Sequence, residues 1–266
     1  GVFLLVGPSG VGKTESARGV ADLLFGGERF IITINMSEYQ ESHTVSQLKG
    51  SPPGYVGYGE GGVLTEAVRQ RPYSVVLLDE VEKAHRDILN LFYQVFDKGF
   101  MRDGEGREID FKNTVIMMTG NLGSDTILEM CGNGESPMPD AVAEAIRPEL
   151  QRHFGAALLA RCKVVPFYPL DTHTMKGIVN LKLGKIGERL RNSHNIAFEY
   201  SPALVTRIAE RCTQVDTGAR NIDYIIDRTI LPDISSALLS QVAEKATPAR
   251  LTLSLDESGE FQYQFQ

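Results

Sequence analysis

Residues 7–14 read GPSGVGKT, set between a short apolar run and a helical pattern, and no other stretch restricts the fold as much. Within eight residues the backbone must leave a strand, turn through three glycines and enter a helix. Gly7, Gly10 and Gly12 let successive N–H groups curl toward one point, and the helix that follows offers its positive end. Together they form a cradle for phosphate oxygens. In this pattern Lys13 reaches β- and γ-phosphates, Thr14 ligates Mg²⁺, and Pro8, Ser9 and Val11 complete the loop.

Such a loop needs a sheet behind it. Five apolar runs stand out: Val2–Val6, Phe30–Ile34, Val75–Leu78, Thr114–Met118 and Lys163–Phe167. Four lack polar alternation, as strands buried on both faces of a parallel sheet do, and the fifth is weaker. Helical patterns lie between them, at Thr14–Leu24 and at Asp87–Phe96, where Ile88, Leu91, Phe92 and Val95 share one face. Strand and helix in alternation specify an α/β sheet with crossovers.

Two of these strands end in chemistry. Residues 75–80 read VVLLDE, which puts Asp79 at the C-terminal edge of a buried strand, beside the expected phosphate loop. Asp79 is suited to hold Mg²⁺ and Glu80 to orient or deprotonate an attacking water. A kinase, whose nucleophile is a substrate hydroxyl, has less need of Glu80, so hydrolysis is the favoured reaction. Residues 114–121 read TVIMMTGN, a second buried strand with Asn121 at its end, placed to hydrogen-bond the lytic water or a γ-phosphate. Glu82 and Lys83 are read as polar contacts at a helix start.

Phe100–Phe111 reads as a hairpin around an Asp103-Gly104 turn, and Cys131–Asp140 as a surface loop or partly disordered insert. After Pro169 the pattern turns helical, at His173–Leu190, Pro202–Cys212 and Asn221–Ser240. It ends in a hairpin of Ala249–Leu255 and Phe261–Phe265. A domain boundary is therefore expected near Pro169. Thirteen of the 26 glycines fall in the first 62 residues, where an even spread would place about six, so backbone freedom is concentrated around the phosphate loop and the loop near residue 54.

Composition sets outer limits. With 42% hydrophobic and 23% charged residues the chain is ordinary globular protein. Lys plus Arg (27) less Asp plus Glu (34) gives −7, which argues against a broad nucleic-acid or lipid-headgroup surface. No apolar run approaches the length of a membrane span, so membrane insertion is not expected. Cys131, Cys162 and Cys212 read as reduced thiols of a cytoplasmic protein. The five histidines share no metal-ligand spacing.

Four segments, GPSGVGKTE (7–15), GSPPGYVGYGEGGVLTEAVRQRPYSVVLLDEVEKAH (50–85), DGEGREIDFKNTVIMMTGNLGS (103–124) and GAR (218–220), resemble the AAA+ ATPases, specifically the second ATPase domain of the Clp/Hsp100 unfoldases. VVPFYPL (164–170) and DTGARNID (216–223) look most like the ClpV-type ATPases of bacterial type VI secretion, which disassemble contracted sheaths. The resemblance implies an AAA+ P-loop NTPase fold: a parallel five-stranded sheet in a large lobe, 1–168, and a smaller, mainly helical lobe with a short β-sheet, 169–266. It implies ATP with Mg²⁺, a homo-hexamer, a protein substrate such as sheath subunits, and a bacterial cytoplasmic setting.

The same resemblance makes Arg220 the sensor-2 arginine, acting within its own subunit. It makes Arg161 the arginine finger that reaches a neighbour's nucleotide, although GAALLARCKV (155–164) departs from the RPEF-x-NRID pattern of many relatives. Gly54-Tyr55-Val56-Gly57-Tyr58 matches the substrate-gripping pore loop, with Tyr55 as the grip, Val56 its partner and Tyr58 packing the loop base. After Ser124 there is no LGF- or IGF-like tripeptide, which favours remodelling without degradation. The chain is expected to be a fragment, with part of the adenine pocket upstream. The rival readings are a general disaggregase or peptidase-coupled unfoldase and a module that binds ATP for assembly without turning it over. A nucleic-acid motor is disfavoured by the acidic balance and the aromatic loop.

Overall fold

In the computed structural model, which describes residues 1–55, 57–132, 136–213, 218–243 and 248–266, all five apolar runs become strands of one sheet. The residues outside this set include Val56, part of the loop expected at Cys131–Asp140, and Asp216 of the DTGARNID segment. The chain divides into two compact units, residues 1–8 with 12–168 and residues 9–11 with 169–266.

The first unit runs β1 (Val2–Val6), α1 (Lys13–Phe25), β2 (Ile31–Asn35), α2 (Val45–Lys49), α3 (Val63–Gln70), β3 (Val75–Asp79) and α4 (Arg86–Lys98). It continues through β4 (Phe100–Arg102), β5 (Glu108–Asp110), β6 (Val115–Gly120), α5 (Ser124–Cys131), α6 (Pro139–Phe154), α7 (Ala156–Leu159) and β7 (Lys163–Pro166). The sheet order is β2-β3-β6-β1-β7, parallel throughout.

Alternating side chains along the central strands feed two cores. Leu5, Val75, Leu77 and Met117 pack against Ala17 and Ala21 of α1. Leu4, Val6, Val76, Leu78, Ile116 and Met118 pack on the other face with Ile88, Phe92 and Val95 of α4 and with Ile146 and Leu150 of α6. This two-sided burial is why those strands read as unbroken apolar runs. Edge strand β2 differs: Thr33 and Asn35 are exposed while Ile32 and Ile34 are buried.

The hairpin forms with Met101 opposite Ile109, but its turn is not the two-residue Asp103-Gly104 turn expected. The connection spans residues 103–107. Asp103 closes it by accepting from the backbone N–H groups of Glu105 and Arg107, each at 2.9 Å. The buried Asp103 carboxylate thus organises a longer connection than a two-residue turn.

The second unit comprises α8 (Thr172–His194), β8 (Ala197–Tyr200), α9 (Pro202–Thr213), α10 (Arg220–Ile225), α11 (Leu231–Ala243), β9 (Arg250–Leu255) and β10 (Phe261–Phe265). The helix expected over Asn221–Ser240 is α10 and α11 joined by a π-helical segment, Ile226–Ile230. Helix α8 begins on Asp171, whose carboxylate accepts from the Thr174 N–H at 2.7 Å. Its core includes Met175, Val179, Leu183, Leu204, Ile208, Ile222 and Ile230, with Leu251 and Leu253 contributed by β9. The terminal hairpin is present, and β8 adds a third strand parallel to β9.

Candidate functional site

Strands β1, β6 and β3 lie side by side with their C-terminal ends level. Val6 is in register with Gly120, and Leu78 with Met118. The Gly7 N–H continues the ladder to the Gly120 carbonyl at 3.3 Å. The segments that follow these strands therefore meet at one edge of the sheet, where open α/β folds bind ligands. Gly7 has φ +148°, and a Cβ there would collide with the Phe167 carbonyl oxygen, so no other residue can start the loop.

Lys13 opens α1 with only 9% of its surface exposed. Its ammonium donates to the carbonyls of Gly7 at 2.5 Å and Pro8 at 2.7 Å, and to Oδ1 of Asn121 at 2.9 Å. A cation this buried must be surrounded by oxygen. These oxygens hold the ammonium beside the backbone of Gly7 and Pro8, at the start of the loop that leads into α1. That arrangement fits a phosphate group.

The Thr14 hydroxyl faces Oδ2 of Asp79 at 3.5 Å. A hydroxyl beside a carboxylate is a pair of hard oxygen donors of the kind Mg²⁺ takes, so these residues fit the metal that accompanies a bound triphosphate. The other Asp79 oxygen accepts from the hydroxyl of Thr119, and the Thr119 oxygen accepts from the Glu80 N–H at 3.1 Å. Thr119 is 2% exposed. One buried hydroxyl thus fixes both acids of the DE pair.

Glu80 has φ +57° and ψ +46°. A non-glycine residue in the left-handed region stores about 1–3 kcal/mol and persists only where its surroundings hold it. Lys83 adds a second restraint, its ammonium 2.9 Å from Oε2 of Glu80. That hydrogen bond holds the lysine above its ordinary pKa.

Glu82 departs from expectation. It reaches across to the end of β6, where Oε1 accepts from the Asn121 N–H at 3.1 Å. Among the described residues its other carboxylate oxygen is buried without a hydrogen-bond partner. Thr119 and Glu82 are therefore parts of the site that the motifs did not single out. The only sequence signal for Thr119 is a polar residue at the end of an otherwise apolar strand. For Glu82 it is a third acid close behind Asp79 and Glu80.

The remaining candidates lie outside this network. Arg161 forks onto Asp97 of α4, with Nε to Oδ1 at 2.5 Å and Nη2 to Oδ2 at 3.0 Å, and also donates to the Ala157 carbonyl at 2.6 Å. The bond from Arg161 holds the Asp97 carboxyl below the usual range. Arg220 begins α10 in the second unit and is exposed. Tyr55 is 70% exposed at the tip of a loop whose ends meet in an isolated bridge between Ser51 and Tyr58. Tyr58, expected to pack the loop base, lies in that bridge and is 52% exposed.

A family model described as "AAA domain (Cdc48 subfamily)" matches residues 1–165, and one described as the "C-terminal, D2-small domain, of ClpB protein" matches residues 170–251. The chain belongs to the Clp/Hsp100 AAA+ ATPases. Within that family it is similar to the AAA+ ATPase ClpV1 of Pseudomonas aeruginosa, with 52% identity over all of this chain and 29% of that protein. It is 55% identical to the chaperone protein ClpB of Yersinia enterocolitica over 90% of this chain and 27% of that protein. The chain thus spans less than a third of the length of these relatives. Among solved structures, a closed-state reconstruction of Hsp104 with ATPγS and FITC casein superposes with a TM-score of 0.86 at 32% identity. That match covers 99% of this chain and 44% of the Hsp104 chain. Membership in this family carries nucleotide binding with it. Among the described residues, no helix is long and apolar enough to cross a membrane.

Proposed function

We propose that this chain is the ATP-hydrolysing module of a hexameric protein-remodelling motor, and that its substrate is the contracted sheath of a type VI secretion system. The observation that carries the ATPase reading is the linked network at the sheet edge, in which Lys13 is bound to Asn121 and Thr119 ties Asp79 to Glu80.

In this reading Lys13 and the 7–12 backbone bind the phosphates of ATP, with Thr14 and Asp79 as the donors toward Mg²⁺. When bound, Mg²⁺ neutralises charge developing on the phosphoryl oxygens. Glu80 takes the proton of the attacking water, and its restrained backbone keeps the carboxylate at one place beside the strand end. Asn121, held through Glu82, keeps its side-chain amide turned toward Lys13 and hydrogen-bonds the attacking water or the terminal phosphate. Arg220 serves the nucleotide of its own subunit and Arg161 that of a neighbour. Tyr55 and Val56 grip extended polypeptide in the pore, for which an exposed aromatic ring at a loop tip is suited. Functional lobes of 1–168 and 169–266 and a bacterial cytoplasmic setting complete the proposal.

Similarity to ClpV1 supports the sheath as substrate. The comparable identity to ClpB favours a second reading, a general disaggregase. Glu80→Gln in the full-length protein tests the chemistry. ATP binding is expected to persist while turnover falls by roughly 10²–10⁴-fold, the usual contribution of a positioned base. Turnover by Glu80→Gln at the wild-type rate would remove Glu80 from the mechanism, whereas absence of turnover in the wild type itself would favour the non-hydrolysing assembly reading. Offering the protein contracted sheaths and heat-aggregated protein side by side separates the two substrates.

A further inference from the structure

The hairpin β4–β5 has no part in the nucleotide network, yet it lies in the chain between α4 and β6, and β6 carries Thr119 and is followed by Asn121. Its connection is rigid. Asp103, with a side chain only 4% exposed, accepts from the Arg107 guanidinium at 2.7 Å as well as from two backbone N–H groups. Burial alone would push this carboxyl up, but the hydrogen bonds outweigh it and the group stays below the usual carboxylate range.

This stiffened tip rests on the base of the 51–58 loop. The Gly104 N–H donates to the Lys49 carbonyl at 2.9 Å, and a Cβ on Gly104 would lie 2.5 Å from the Ser51 carbonyl oxygen. From the far side of the loop, Gly62 presses on Leu48 and Lys49 so closely that a Cβ there would overlap their backbone. The Thr65 hydroxyl lies 3.3 Å from both the Lys49 and Gly62 carbonyls. Three backbone segments, 48–51, 61–62 and Gly104, therefore touch with no side chain between them. They touch at the two stems of the loop that carries Tyr55.

A side-chain contact absorbs a small shift by changing rotamer, whereas backbone on backbone has no such freedom. We propose that Gly104 is a positioning residue that clasps the stems of the 51–58 loop, so that displacement of the hairpin by α4 and β6 moves the loop. The role assigned to the loop rests on the gripping function proposed for Tyr55; the clasp itself rests on the contacts above.

The test compares full-length wild type, Gly104→Ala and Tyr55→Ala. It reads ATP turnover, threading of unfolded FITC-casein, and amide hydrogen exchange across residues 48–62. For Gly104→Ala, turnover without casein should stay within about twofold of wild type, threading should fall at least tenfold, and exchange in 48–62 should rise at least tenfold. Wild-type exchange in that segment overturns the clasp, and raised exchange with undiminished threading overturns the coupling. Normal threading by Tyr55→Ala removes the gripping role, while exchange in Gly104→Ala still decides the clasp. Should Gly104→Ala fail to fold, Arg107→Ala loosens the same tip without adding an atom to the interface. It is expected to raise exchange in 48–62 to a smaller degree, and no rise would again overturn the proposal.

Discussion

At the scale of single residues, Thr119 shows how little atomic mass the site geometry depends on. Its hydroxyl donates to Asp79 and accepts from the Glu80 N–H, and it is almost wholly buried. Valine has nearly the same shape and can do neither. In Thr119→Val the Glu80 N–H loses its acceptor in a part-buried place, a defect worth about 1–3 kcal/mol. The left-handed backbone of Glu80 also loses one of the contacts that hold it there. Urea unfolding is expected to show a loss of stability of about that size. On the proposed mechanism ATP turnover should fall further than ATP affinity, because Asp79 and Glu80 lose their shared partner while the contacts of Lys13 do not involve Thr119. Thr119→Ser keeps the hydroxyl and should recover most of both. A valine variant with wild-type stability and turnover would show that the DE pair is positioned by other means.

At the scale of elements, α4 carries the most consequential packing, since it follows the DE pair and leads into the hairpin. Ile88, Phe92 and Val95 lie on one buried face, with Phe92 only 1% exposed, so Phe92→Ala is expected to cost about 3–5 kcal/mol in chemical unfolding. A cost below about 1 kcal/mol would mean that this face is not core. The same residues explain why α4 is legible in sequence: helical spacing of large apolar groups is a direct image of one-sided burial. The central strands are legible for the complementary reason, because burial on both faces removes polar alternation. Where burial is shared with solvent or with a tertiary partner, the image fades. Strand β8 is four residues whose pairing comes entirely from β9, far along the chain. Helix α6 contains Pro148, which by local propensity argues against a helix, yet Val142, Ile146, Leu150 and Phe154 bury its inner face. The hairpin turn differs from its sequence reading because the deciding interaction is an Asp103 side chain accepting from backbone two and four residues ahead. The P-loop, Asp79 and Asn121 are legible as motifs. Thr119 and Glu82 are not, because their roles exist only once β3 and β6 are neighbours.

At the scale of the whole molecule, Arg161 separates a subunit acting alone from one acting in a ring. Within the chain its guanidinium is committed to Asp97, with the Tyr93 ring 5.7 Å away. Both partners are partly open to solvent, and an exposed ion pair is a weak latch that a stronger anion can outcompete. A triphosphate presented by a neighbouring subunit is such an anion. If Arg161 serves that neighbour, each active site needs Glu80 from one chain and Arg161 from the next. Full-length Arg161→Ala should then bind ATP and lose roughly 10³–10⁵-fold in turnover, as removal of an arginine finger does. Mixing makes the test specific. Glu80→Gln subunits keep Arg161, and Arg161→Ala subunits keep Glu80, so rings assembled from both in equal amounts contain sites with both groups intact, about one in four for random placement in a head-to-tail ring. Turnover should therefore reappear on mixing two inactive proteins and grow with total concentration as rings form. If the mixture stays as inactive as its components while size measurements show mixed rings, Arg161 acts only within its own chain, and its pairing with Asp97 is structural.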